Sequence, residues 1–159
     1  MKLLLILILM SSYCFAEVKE FSLNKGDFEL SNGSGDITIT GTKSNKVKID
    51  YSKIKWSSEC HLDITKNGDK IIVKVTEDSS INSESECMVN FNILMPQKLK
   101  NRIVNGSGNI ALNNLKGDIN FVIGSGSVAI NSSIVSSVDG KSGSGNISLT
   151  GQFDNLRKF

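Results

Sequence analysis

Hydrophobic and polar residues alternate with a period of two along most of the chain, and the helical period of 3.6 is nearly absent. Ile37 and Ile39 alternate with threonines, and Ile110 and Leu112 repeat the scheme further along. Strands with one buried and one wet face have this period, and β-branched residues favour them. Turn-forming sequences such as KNGDK separate the alternating segments. The pattern predicts an all-β protein.

A phrase built on Gly-Ser-Gly occurs four times, and each copy directly precedes an alternating segment. The glycine pairs are Gly33 and Gly35, Gly106 and Gly108, Gly124 and Gly126, and Gly143 and Gly145. The last three copies follow one another after 18 and 19 residues, and the 73 residues between the first two equal about four such steps. A fixed period with two short strands per unit is typical of stacked repeats. We therefore predict a β-solenoid or β-helix-like stack of rungs with a period of about 18 residues.

The glycines are predicted to be structural corners. Glycine adopts a positive φ without steric cost, and a serine beside it bonds local backbone groups. A phosphate cradle would need a helix after the glycine loop, whereas each copy here leads into a strand. A calcium repeat would need several carboxylates, but of the four residues that follow the glycine pairs only Asp36 is acidic. We expect no cofactor-binding and no metal-binding residues.

Residues 1–16 have the pattern of a cleaved signal peptide. An apolar run follows Lys2 and gives way to a short polar segment that ends at Ala16. This predicts export, to the periplasm, the cell surface or the medium. Lipidation of Cys14 is the alternative, although Tyr13 stands where a small residue is usual. No later segment has the length and apolar character of a transmembrane helix, so we expect no transmembrane segment.

Residues 17–159 are predicted to form a single domain, with irregular strands in 17–103 and regular repeats in 104–159. The alternation shifts at Ser52, which indicates a bulge or a bend. Two interpretations of residues 42–102 remain open. They form degenerate rungs of the same solenoid, or they form a small sheet that caps it.

Two cysteines remain after the predicted signal peptide, and both are expected to point inward. Cys60 shares its parity with Leu62 and Ile64, and Cys87 shares its parity with Val89 and Phe91. An isolated pair in an exported protein predicts a Cys60–Cys87 disulfide. A metal or redox site would need further ligands or a Cys-x-x-Cys motif, and the sequence has neither.

Charged residues give no sign of catalysis or of nucleic-acid binding. The chain has 18 basic and 16 acidic residues, and no basic patch stands out, so we expect no nucleic-acid partner. Five lysines between residues 43 and 55 are interpreted as a solvated face, with a weak anionic contact left open. His61, the one histidine, is expected to point outward, and no acid–base pair is apparent, so we predict no catalytic residues.

The stretches SNGSGDITITG, VNGSGNIALNNLKGDINFVIGSGSVAIN and GKSGSGNISLTG resemble the bacterial putative-adhesin domain family. The resemblance covers roughly residues 30–151. It implies an all-β solenoid in an extracytoplasmic protein, and it brings no catalytic residues with it.

These features predict an exported, non-enzymatic binding or structural module. It would contact an envelope or host-surface glycan or protein through repeated outward polar positions, and its terminal rung could pair with a second copy. One alternative is a periplasmic scaffold or stress-associated component that binds only other proteins, and another is a polysaccharide-acting enzyme. The outward positions are Asn109, Ala111, Asn120, Ser127, Ala129, Asn146 and Ser148.

Overall fold

The computed structural model describes residues 17–78, 87–154 and 156–157. The predicted signal peptide and Cys14 lie outside these residues. Fourteen strands account for most of the described chain and form one sheet, so the all-β prediction is confirmed. The strands are β1 (Glu17–Ser22), β2 (Asp27–Ser34), β3 (Ile37–Thr42), β4 (Lys46–Lys55), β5 (Cys60–Asn67), β6 (Lys70–Glu77), β7 (Met88–Pro96), β8 (Lys100–Ser107), β9 (Ile110–Asn113), β10 (Ile119–Ser125), β11 (Val128–Val135), β12 (Val138–Ser144), β13 (Ile147–Phe153) and β14 (Leu156–Arg157). Among the described residues, no helix is long and apolar enough to cross a membrane.

Parallel pairing dominates the sheet and organises it into two runs of strands. The first run has the spatial order β6, β2, β8, β10, β12 and β14. The second run has the order β7, β3, β9, β11 and β13. Each Gly-Ser-Gly phrase connects a strand of the first run to a strand of the second. We use the word rung for the two strands so connected, and for β6 with β7.

The order of the rungs in space differs from their order in the sequence. The rung of β2 and β3 lies between the rung of β6 and β7 and the rung of β8 and β9. Ser34 therefore pairs with Ser107 on one side and with Met88 on the other. The expectation that the 73 residues between Gly33 and Gly106 represent four steps is wrong, because the two glycines lie on neighbouring rungs. Strands β4–β7, which come between them in the sequence, lie on the other side of β2 and β3.

Residues 42–102 contain both parallel-paired and antiparallel-paired strands. β6 and β7 continue the two parallel runs as a further rung, whereas β4 and β5 pair antiparallel outside that rung. β1 then pairs antiparallel with β4. β4 shifts its register between Lys53 and Lys55, close to the change in alternation at Ser52. This irregularity in the register agrees with the bulge or bend that the sequence indicates.

The apolar faces of the two runs meet in one buried cluster. Phe28, Ile103 and Phe121 come from the first run, and Ile39 and Ile93 come from the second; all five side chains are almost completely buried. Burial of a side chain of this size stabilises the fold by about 1.5–3 kcal/mol. Because alternate residues of each strand enter this cluster, the remaining residues form two outer faces.

Candidate binding face

The two glycines of each Gly-Ser-Gly phrase have different roles at the bend between the runs. The second glycine has a positive φ, which is +112° at Gly108 and +124° at Gly126 and Gly145. None of the four first glycines has a positive φ. A Cβ atom on Gly106 would instead overlap the carbonyl oxygen of Gly33 on the neighbouring rung. Gly106 therefore permits close stacking, whereas the second glycine of each phrase permits both the positive φ of the bend and an equally close approach to the neighbouring backbone.

Short polar residues after the glycines join one rung to the next. The backbone N–H of Asp36 donates to Asn90 Oδ1 at 2.9 Å, and that of Asn109 donates to Asp36 Oδ1 at 2.7 Å. The backbone N–H of Ser127 donates in turn to Asn109 Oδ1 at 3.2 Å. Asn109 and Ser127 were expected among the outward contact positions, and in the structure they link neighbouring rungs.

Two buried asparagines, which the sequence analysis missed, support the same bend from inside. Asn32 Nδ2 donates to the carbonyl oxygens of Ser34 and Val89 at 2.8 and 2.9 Å. Asn105 Nδ2 donates to the carbonyl oxygens of Gly35 and Ser107 at 2.9 and 3.0 Å. Their signal in the sequence is an asparagine at an inward position of the alternation, directly before the first glycine of a phrase.

Uncharged side chains line up on the outer face of the second run. One row pairs Thr38 with Ala111, Ala129 and Ser148, and the next row pairs Thr40 with Asn113, Asn131 and Thr150. Neighbouring strands in such a row are about 4.8 Å apart. Asn131 Nδ2 donates to Asn113 Oδ1 at 3.4 Å within the second row. We name this surface the neutral face; its residues are Thr38, Thr40, Ala111, Asn113, Ala129, Asn131, Ser148 and Thr150.

A depression of about 480 Å³ adjoins the neutral face at Thr38. Asp36, Asn90, Asn92 and Asp50 contribute polar groups to its lining. Asp50 Oδ2 lies 3.2 Å from Lys48 Nζ, whereas Asp50 Oδ1 is buried and has no hydrogen-bond partner among the described residues. Asp50 thus lines the depression with a carboxylate that is only partly paired.

Tyr51 lies under the same depression, and its hydroxyl is tied to the strand beyond it. Tyr51 Oη donates to Glu17 Oε2 at 2.7 Å. Burial, together with this hydrogen bond to a carboxylate, raises the pKa of Tyr51 to about 12. The hydrogen bond from Tyr51 lowers the pKa of Glu17, and the nearby Lys53 adds to that effect.

The outward positions expected from the sequence divide among three places. Ala111, Ala129 and Ser148 lie on the neutral face. Asn109, Ser127 and Asn146 lie at the bend. Asn120 lies on the other outer face, where it pairs in register with Arg102 and Asp139. The neutral-face threonines and Asn113 and Asn131 were missed, although the alternation on β3, β9 and β11 carries their signal.

The predicted disulfide is confirmed, and it joins the start of β5 to the residue before β7. The Cα atoms of Cys60 and Cys87 are 5.6 Å apart. Such a bond is typical of extracytoplasmic proteins. His61 beside it is exposed, and its Nε2 lies 3.1 Å from Asp78 Oδ2.

The fold is an all-β arrangement of mostly parallel strands, and a solved protein shares it. No protein-family model matches the sequence, and no curated protein matches it. A putative adhesin from Parabacteroides merdae aligns with a TM-score of 0.50 and 14% identity, over 90% of this chain and 57% of that chain. This chain thus spans little more than half the length of that protein. At 14% identity, the similarity shows a shared fold.

Two further solved structures align less well. One is a putative cell adhesion protein from Clostridium sporogenes, with a TM-score of 0.45, 11% identity, and coverage of 91% of this chain and 100% of that chain. The other is a putative lipid binding protein from Parabacteroides distasonis, with a TM-score of 0.47, 14% identity, and coverage of 89% and 68%.

Proposed function

We propose that this chain is an exported, non-enzymatic and adhesin-like binding module, and that its neutral face contacts an uncharged glycan of an envelope or host surface. The observation that carries the proposal is the pair of in-register rows of threonine, serine, asparagine and alanine. The proposal includes a β-solenoid with a period of about 18 residues and Gly-Ser-Gly corners. The fold shared with the Parabacteroides merdae protein is compatible with it, and the adhesin description belongs to that protein.

The chemistry of the neutral face favours a sugar polymer. A hydrogen bond between a neutral-face side chain and a sugar hydroxyl contributes only about 0.5–1.5 kcal/mol. A single sugar would therefore bind weakly. A linear ligand lying across the strands meets the same kind of group on each rung, and the separate contacts then act together. Ala111 and Ala129 offer no hydrogen bond, but their small side chains allow a flat ring to approach the sheet. A protein partner would be expected to use buried aromatic or arginine side chains, and the neutral face has none.

Export rests on two features that are independent of the neutral face. The first 16 residues have the pattern of a signal peptide. The Cys60–Cys87 disulfide suits an oxidising compartment. Fractionation of cells that express the chain would test export directly, because a cytoplasmic protein with reduced cysteines would contradict it.

Glycan binding is tested with the purified protein on a panel of immobilised uncharged envelope and matrix polysaccharides. The variant Asn113→Ala/Asn131→Ala removes two amides from one row of the neutral face. Asn120→Ala is the matched control, since Asn120 is an exposed asparagine on the other outer face. We expect the double variant to bind about fivefold to tenfold more weakly, and the control to bind like the wild type.

Two outcomes would contradict the proposal. Equal binding by the wild type and the double variant would exclude the neutral face as the site. If no polysaccharide retains the protein and crosslinking in cells yields only envelope proteins, the chain is instead the periplasmic scaffold considered above.

A further inference from the structure

A cluster of lysines lies at the edge opposite the glycine bends, where strands of the second run turn back toward the first. Two adjoining depressions, of about 300 and 240 Å³, open at this edge. Lys43 and Lys98 line the first, and Lys25 and Lys66 line the second. Asn24 and Asn45 line both and so connect them. We name these four lysines and two asparagines the lysine edge.

The lysines of this edge differ from several other lysines in their ion pairing. Ion pairs with carboxylates form at Lys46, Lys48, Lys53 and Lys70. None of them involves a lysine of the lysine edge, and all four of its lysines are exposed. The single carboxylate that lines the two depressions is Asp69. The edge therefore carries a local excess of positive charge, although the chain as a whole is close to neutral.

Backbone hydrogen bonds hold the turns of this edge together. The N–H of Leu23 donates to the carbonyl oxygen of Asn45 at 2.8 Å, and that of Gln97 donates to Thr42 at 3.1 Å. The turns that carry Lys25, Lys43 and Lys98 are thus joined by the fold. A ligand would meet lysines whose backbone positions are already set, which reduces the entropy lost on binding.

From this geometry, we propose that the lysine edge binds an acidic polysaccharide, through the carboxylate, sulfate or phosphate groups on its sugars. Lysine ammonium groups would pair with the anionic groups. The amides of Asn24, Asn45 and Gln97 and the hydroxyls of Thr42 and Ser44 would bind sugar hydroxyls between them. This site is separate from the neutral face, and it does not depend on the function proposed for that surface.

A sugar polymer fits this edge better than a lipid membrane. Proteins that lie on membranes combine basic residues with apolar side chains that enter the bilayer. The large exposed apolar residues of the described chain are Val18, Ile54, Leu94 and Val122, and none of them lines either depression. The lining instead offers hydrogen-bonding groups between the charges.

The test measures binding of the whole purified chain to heparin and to polygalacturonate, with dextran as the uncharged reference. Three variants remove edge charges: Lys43→Gln/Lys98→Gln, Lys25→Gln/Lys66→Gln, and the combination of all four. Lys74→Gln/Lys141→Gln is the matched control, because both lysines are exposed on outer strand positions and the net charge changes by the same amount. Circular dichroism confirms that each variant is folded.

We expect each double variant at the edge to bind at least one of the acidic polymers about fivefold more weakly, and the quadruple variant at least about twentyfold more weakly. The control should stay within about twofold, and salt should weaken wild-type binding because the charges are exposed. An equal loss of binding in the control would show that net charge alone explains the effect, and it would overturn the proposal. Failure of the wild type to bind either acidic polymer at physiological ionic strength would also overturn it. Binding to vesicles of phosphatidylglycerol without binding to the polymers would assign the edge to lipid headgroups instead.

Discussion

The hydroxyl oxygens of Ser107 and Ser34 lie 3.1 Å apart, although the two residues are separated by 73 positions in the sequence. They occupy the same place in two neighbouring Gly-Ser-Gly phrases. The contact shows that β2 and β3 stack directly on β8 and β9, and β4–β7 lie on the other side of β2 and β3. The first and second copies of the phrase are therefore adjacent in space.

Replacing the two disulfide cysteines should destabilise the fold. The Cys60–Cys87 bond spans a sequence separation of 27 residues. Closing a loop of this size restricts the unfolded chain, and we expect Cys60→Ser/Cys87→Ser to lower the free energy of unfolding by about 3 kcal/mol. Urea unfolding, with and without reductant, measures the effect. The double variant should not respond to reductant, and a wild type whose midpoint is unchanged after full reduction would contradict the prediction.

Alanine at the first glycine of a phrase should destabilise the fold at Gly106 but not at Gly33. At Gly106 a Cβ atom would overlap the carbonyl oxygen of Gly33, so we expect Gly106→Ala to cost about 1–3 kcal/mol. At Gly33 the nearest atom to a Cβ would be the carbonyl oxygen of Cys87 at 3.9 Å, which is ordinary contact. Gly33→Ala should therefore be neutral, or stabilise the fold by up to about 1 kcal/mol. Thermal and urea unfolding of the two variants provide the comparison, and equal losses would show that stacking distance does not govern this position.

Asn105 should contribute more to stability than an asparagine on the surface. It is almost fully buried, and its side chain donates two hydrogen bonds to carbonyl oxygens at the bend. Asn105→Ala would leave these acceptors without their partner, and we expect a loss of about 2 kcal/mol. Asn113→Ala on the neutral face is the control and should stay within about 0.5 kcal/mol. A similar loss in both variants would mean that the buried amide has no special role.

The hydrogen bond between Tyr51 and Glu17 should be visible in a tyrosinate titration. In a Tyr13→Phe background Tyr51 is the one remaining tyrosine. Its pKa is raised to about 12, first by burial and then by Glu17. Glu17→Gln should therefore bring the pKa of Tyr51 below 12 but leave it above 10, the ordinary value for tyrosine. A pKa of Tyr51 unchanged by the substitution would show that burial alone is responsible.

The same pair predicts how stability depends on pH. Because the pKa of Tyr51 is raised on folding, its contribution is complete below pH 10 and is lost as the pH rises toward 12. The pKa of Glu17 is lowered from 4.5, so its contribution is present above that pH and is lost as the pH falls through the folded value. Between pH 10 and pH 12, the free energy of unfolding should therefore fall more steeply with pH for the wild type than for Tyr51→Phe.

The sequence was sufficient to predict the strands, the inward cysteines and the bulge near Ser52, because alternation and turn chemistry are local signals. It was not sufficient to predict which strands are neighbours. The separation of 73 residues is close to four periods, so the period predicted distant rungs, whereas Ser34 and Ser107 are in direct contact. Register between distant strands depends on packing that no local pattern records.

The surfaces could be predicted only in part for the same reason. Ala111, Ala129 and Ser148 share a row because their strands are regular and consecutive. Asn120 has the same local pattern but lies on the opposite outer face. The lysines of the lysine edge come from three separate turns and from the end of β5, so no local pattern indicates a basic cluster.

The insertion of β2 and β3 between later strands affects how the chain can fold while it is being made. A ribosome releases residues 27–42 before either neighbouring rung exists, so this segment has no parallel partner until β6 and β7 have been made, and its other side stays unpaired until about residue 107 has emerged. The rungs that follow can then be added one after another in the order of translation. The slow step in acquiring the native state should therefore be the pairing of this early segment with strands made later, and a chain halted before β8 would leave one edge of β2 and β3 open to aggregation.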